Sequence, residues 1–172
     1  MGSPSLKLRA ERFYSWRVGT DRGKTERYWS GREGRSTSCD CDWCANWRAA
    51  IASRVPTSLR LALRRLGVKL TRESDVYQQA TYDMSVLYRA EYTCVGEIHS
   101  GPPFWVLEGR AWHPYPWLLR GWPWYLGVGV TTRDESKVRI GRWAPAIPAY
   151  TVEVRVALPW VLPKKMPSMY AT

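Results

Sequence analysis

Apolar positions recur along this chain with two periods, and the change between them divides the sequence. Over residues 12–18, Tyr14, Trp16 and Val18 alternate with Phe13, Ser15 and Arg17, which predicts a strand with one aromatic face. Gly19 to Lys24 is rich in turn residues, and Thr25 to Ser30 is expected to return as the second strand of a hairpin. From residue 43 the period lengthens. Trp43, Trp47 and Ile51, with Cys44 beside them, fall three and four apart, the stripe of a helix over 43–54 with Asp42 as its N-cap. Pro56 takes a favoured early position in a second helix, where Leu59, Ala62, Leu63 and Leu66 face inward and Arg60, Arg64 and Arg65 face out. Gly67 stands where a left-handed C-cap belongs.

Past Val76 the period of two returns. Val76 to Ala80 predicts a strand, Tyr82 to Ser85 a turn, and Val86 to Ile98 a long strand ended by Gly101-Pro102-Pro103. Over residues 104–124, Trp105, Trp112, Tyr115, Trp117, Trp122 and Trp124 stand among prolines and glycines. That stretch reads either as an ordered loop plugging the core or as an exposed interaction surface. Leu126 to Thr132 and Lys137 to Gly141 predict a hairpin around residues 133–136. Val152, Val154, Val156 and Leu158 alternate with Glu153 and Arg155, the clearest half-buried strand of the chain. The resulting expectation is an α+β fold, two short helices on a largely antiparallel sheet of about six strands, with a structural metal as a further staple. One domain is expected over 1–172: a basic hairpin (1–38), a cysteine cluster and helices (39–70), a Trp-rich β region (71–158) and an extended tail (159–172).

Charge narrows the partners. A net charge of +11 favours an anionic one, whether nucleic acid, an acidic protein surface or a lipid surface. Arg9, Arg12, Arg17, Arg22, Lys24 and Arg27 concentrate that charge in the N-terminal arm, where interleaved aromatics suit nucleic acid and a solvated basic hairpin is the plain alternative. No apolar run reaches membrane-spanning length, because Pro116, Arg120 and Pro123 interrupt the most aromatic region. No apolar segment follows Met1 to Ser5, so a cytoplasmic chain with reduced thiols is expected.

The sharpest chemistry is Cys39-Asp40-Cys41-Asp42-Trp43-Cys44, three thiols within six positions at the start of a helical pattern. Thiolates so spaced can converge on one soft cation such as zinc, with Cys94 the expected fourth ligand and His99 its alternative. Free reduced cysteines, or a disulfide from the cluster to Cys94, are the competing readings. No catalytic set is complete. His99 and His113 lack a local nucleophile signature, the zinc-deaminase pattern is missing, and Gly127-Val128-Gly129 is too short for a phosphate loop. Asp40 with Asp42, and Glu91 with Glu97, suit capping and solvation.

Cys39-x-Cys41-x-x-Cys44-x-Asn46, Leu66-Gly67-Val68, Val76-Tyr77 and Val95-Gly96-Glu97-Ile98 resemble, in that order, a small family of uncharacterised bacterial proteins. The resemblance spans roughly residues 39–101. It departs before the last motif, where the family pattern has Gly-Gly-Trp and a histidine and this chain has Arg89-Ala90-Glu91 and Thr93. The resemblance implies that the cysteine cluster is a unit, and it carries no activity. A non-catalytic binding protein with a structural zinc, engaging nucleic acid, is the expectation. The alternative is a protein-interaction module, an inhibitor or assembly component docking through the Trp- and Pro-rich segment and the tail.

Overall fold

The N-terminal alternation does form strands, but the turn falls inside it. In a computed structural model, β1 (Arg9–Phe13) and β2 (Trp16–Thr20) pair antiparallel through a two-residue turn at Tyr14, whose φ is 52°. The turn puts Phe13 opposite Trp16, so both bury on the core side with Val18. The structure describes residues 6–31, 39–108, 111–114, 117–121, 125–132, 137–138 and 146–168, and of these the side chains of 105–108, 111–114, 117, 137 and 138 are not described. The approach to the cysteines at 32–38, the loop at 133–136, the tail beyond 168 and the His113 side chain lie outside the described residues.

The strand expected over Thr25–Ser30 is a helix, α1 (Arg22–Ser30). Asp21, within the expected turn, is its N-cap: Oδ1 accepts from the Lys24 amide at 2.9 Å. Thr25 and Trp29, four apart, bury one face of the helix. Helices α2 (Asp42–Arg54) and α3 (Thr57–Arg65) stand where the pattern put them. Cys41, not Asp42, holds the N-cap position of α2. The α3 end is as expected, with Gly67 at φ 82° and the Val68 and Gly67 amides donating to Leu63 and Arg64 carbonyls.

The three helices pack on a largely antiparallel sheet, making an α+β fold. Its remaining strands are β3 (Asp75–Tyr82), β4 (Ser85–Ser100), β7 (Trp117–Arg120), β8 (Leu126–Thr131), β9 (Lys137–Val138) and β10 (Ile147–Pro159); β5 (Trp105–Glu108) and β6 (Ala111–Pro114) form a separate hairpin. The aromatic segment expected as a loop or surface therefore has strand backbone over 105–108, 111–114 and 117–120. Among the described residues the expected hairpin of 126–132 with 137–141 shows no pairing between its strands; both pair with β10 instead, which takes β8 along 151–156 and β9 at 147–148.

β4 and β10 form the centre, in register from Ala149↔Val95 to Pro159↔Ser85. The other edge of β4 is divided between β3 and β2. At the β2 crossing Gly96 has φ 147°, and a Cβ there would lie 1.9 Å from the Gly19 carbonyl oxygen, so only glycine fits. Trp47, Ile51, Leu59 and Leu63 from the helices bury against Tyr88, Tyr92, Val152 and Val154 from the sheet.

Glu153, expected to face solvent, is 1% exposed. Its oxygens accept from Arg89 Nε at 2.7 Å and Arg155 Nε at 2.5 Å, and Arg89 also pairs with Glu91, which accepts from the Tyr77 hydroxyl. The alternation identified the inward valines correctly. It could not show that the opposite face is also covered.

Glu73 is buried on the helix side, and Oε2 has no hydrogen-bond partner. Burial raises its pKa, against the pull of the Trp47 indole and the Arg48 guanidinium. With the folded value above the unfolded one, the folded state binds more protons, so Glu73 makes stability fall as pH rises through that interval. Glu73→Gln removes this dependence. It should be neutral or stabilising by under about 1 kcal/mol at pH 7, with the gain shrinking toward pH 4, in melts across that range. A large loss at pH 7 would mean the carboxylate is needed in its charged form.

Candidate functional site

The cysteine cluster is built on the first turn of α2. Cys39, Cys41 and Cys44 bring their sulfurs within 4.8 Å of one another. Thiolates on one zinc, each about 2.3 Å from it, stand on the order of 3.8 Å apart, so small side-chain adjustments suffice for these three to hold a metal ion. The support beneath is polar and buried. Asn46 donates to the Tyr88 hydroxyl and the Pro159 carbonyl, and accepts from the Val161 amide at 2.8 Å. Tyr88 donates to the Trp43 carbonyl at 2.9 Å, inside the cysteine turn. Arg48 donates to the Cys39 carbonyl, and Trp43 packs edge-on against Trp160.

The thiols differ electrostatically. Burial, the largest single influence on Cys41, raises its pKa, but the Cys44 and Trp43 amides and the neighbouring thiols together outweigh it, so the pKa is lowered. No geometric cap hydrogen bond reaches Cys41, so these helix N-terminal amides act as dipoles. Burial and the two neighbouring sulfurs push Cys44 up to about 12. Cys41, exposed and favoured as thiolate, is the readiest donor.

Cys94 does not join the cluster. It lies six residues beyond Tyr88 on β4, on the order of 20 Å along an extended strand. Its thiol is fully buried beside the Tyr150 hydroxyl, and burial pushes it up to about 12. His99 lies farther still along β4, exposed, with Nδ1 3.7 Å from Glu97. The expectation of either as fourth ligand assumed that β4 crosses beneath the start of α2 at Cys94; it crosses there at Tyr88 instead.

The expected basic arm is divided among separate surfaces. Arg12 and Arg17 line a cavity of about 750 Å³. Arg9 and Arg22 line a second of about 310 Å³ with Arg65. Arg22 also lines a third, of about 340 Å³, with Arg64, Lys69 and Arg72. Lys24 is mostly buried, 3.8 Å from Asp21, while Arg27 is exposed at the end of α1. Sequence reasoning set Arg64 and Arg65 aside as a solvated helix face and did not consider Lys69 or Arg72. What joins them to the arm is tertiary: a Cβ at Gly67 would lie 2.8 Å from the Arg22 carbonyl, so the α3 end and the α1 start meet through that glycine.

The described start of the tail, expected to lie across a surface or partner, packs on its own chain. Trp160 is buried, its indole donates to the Lys164 carbonyl, and Lys164 pairs with Asp42. No helix among the described residues is long and apolar enough to cross a membrane. Compared with known proteins, the chain matches no family model, no curated protein and no solved structure.

Proposed function

We propose that this protein is a non-catalytic nucleic-acid-binding protein whose cysteine cluster holds a structural zinc. The observation that carries the reading is the pair of adjoining clefts on either side of Arg22. Arg9, Arg22, Arg64, Arg65, Lys69 and Arg72 line them, against only Glu11 and Glu26, which are paired with Arg9 and Arg22. Such a strip suits a phosphate backbone, which is bound mainly through charge, and the +11 net charge would speed the encounter. Three thiolates favour a soft ion, and zinc at Cys39, Cys41 and Cys44 would pin the start of α2 and leave a fourth position for solvent or another donor. The alternative of protein docking through the tail has less support, since Trp160, Val161 and Lys164 are engaged by α2 or its flanks.

Binding of a labelled single strand or duplex across a salt series tests the reading. Changing Arg22, Arg64, Arg65 and Lys69 together to glutamine should weaken binding at moderate salt by roughly tenfold or more. It should also flatten the slope of log K against log salt by about 0.7–0.9 for each phosphate no longer neutralised. All four side chains are exposed, so the fold should survive. A wild-type slope in the variant would remove the strip from the interface, and no binding by the wild type would remove the function.

A further inference from the structure

We propose that the 750 Å³ cavity between the β1–β2 hairpin and the end of β4 binds a phosphate monoester, gripped by Arg12, Arg17 and His99. This site adjoins the Arg22 strip at Glu11, which lines both, but its arginines are different ones and the proposal does not rest on the strip.

The hairpin register builds the pocket. Ala10 and Gly19 are cross-strand partners and leave a low floor. Gly19 also gives His99 its place: a Cβ there would lie 2.6 Å from Nε2, so the imidazole lies over bare backbone. Arg12 and Arg17 are the next pair but one along the same ladder, directly opposite each other and both exposed. Two cations facing across a strand pair destabilise it unless something answers their charge.

Among the described residues no carboxylate pairs with either of them, although Glu11 also lines the cavity. Arg12 Nε donates to the Tyr14 carbonyl, and the Arg17 side chain has no ion-pair or hydrogen-bond partner among the described residues. Glu11, the nearest acid in sequence, is paired with Arg9 at 3.1 Å, and Glu97 lies beside His99 at 3.7 Å. A dianion between the guanidiniums would turn their repulsion into two charge-assisted forks, the geometry arginine offers phosphate. Ser15 and Ser100 add hydroxyl donors at the wall. The volume exceeds what a bare phosphate fills and lies within the range of small-ligand pockets, so the phosphate is expected to carry a group of nucleotide size. A free nucleotide and the terminal phosphate of a nucleic-acid strand share this chemistry.

Calorimetric titration of the full-length protein with adenosine 5′-monophosphate, adenosine, and a short single strand with and without a 5′-phosphate tests the proposal. The monophosphate should bind and adenosine should not. Arg12→Gln and Arg17→Gln should each weaken the monophosphate by about tenfold or more, with melting unchanged and with Lys165→Gln at wild-type affinity. A 5′-phosphorylated strand binding tighter than both the monophosphate and its 5′-hydroxyl counterpart would assign the site to strand ends. Equal or weaker binding would assign it to a free nucleotide. Adenosine binding as well as the monophosphate, no heat from either phosphate-bearing probe, or arginine variants with wild-type affinity would each overturn the proposal. Failure here leaves the salt slope of the Arg22 strip untouched.

Discussion

Glu153→Gln is expected to lower the thermal midpoint by on the order of 10 °C, the consequence of removing one member of a buried ion network. The Glu153 side chain is 1% exposed and holds two guanidiniums that are themselves 12% and 13% exposed. With Glu91 the group contains two carboxylates and two arginines, so it is neutral as built. Glutamine keeps the size but turns one acceptor into a donor aimed at an arginine and leaves an uncompensated positive charge under cover. Breaking a buried pair on one side typically costs about 3–5 kcal/mol. The site has little slack, since Arg89 Nη2 and Arg155 Nη2 already lack aligned acceptors. Circular dichroism melts would decide it. A midpoint within about 2 °C of wild type would mean that relaxation or water replaces the missing charge.

The second large effect concerns the thiols. Protein purified without added metal should carry about one zinc per chain, and a strong chelator should lower its melting midpoint by roughly 10 °C or more, because binding energy at such sites is folding energy. Cys41→Ser and Cys44→Ser should each release the metal. The damage should centre on the first turn of α2, where Trp43 contacts Trp160 and Tyr88. Cys94→Ser should keep full metal content, since that sulfur belongs to the Tyr150 region of the sheet. Metal-free protein whose melt ignores the chelator would end the zinc reading. Metal loss in Cys94→Ser would contradict the placement of β4.

What was legible in the sequence was what repeats over enough residues. β4, β10, α2 and α3 each carry several apolar positions at one period, and each stands where the pattern put it. α1 has only Thr25 and Trp29 to bury, and two points do not distinguish a helix from a strand. Its real signal was Asp21, a cap that resembles a turn residue because the Gly-Lys after it suits both. The cysteine trio was legible because its members are neighbours in sequence. That Cys94 stays out of it was not, since that depended on which residue of β4 passes beneath α2, a matter of register that period alone cannot give. The Arg22 strip was half legible for the same reason: its two halves are about forty residues apart and meet only where Gly67 admits the α1 backbone.

The central position of β10 has a consequence for how the molecule is made. As the chain leaves the ribosome, β4 emerges roughly fifty residues before its main partner, several seconds at about 5–20 residues per second. Through that interval β3 and β2 can occupy one side of β4, while the other remains a bare edge with Val86, Tyr88, Ala90 and Tyr92 beside it. An unpaired apolar edge of that length recruits other strands, so nascent chains on one message are each other's nearest hazard. The sheet closes only when β10 slides in between β4 and β8. Closure of the sheet is therefore held back until β10 has emerged, and whatever shields the β4 edge during that wait protects the nascent chain from mispairing.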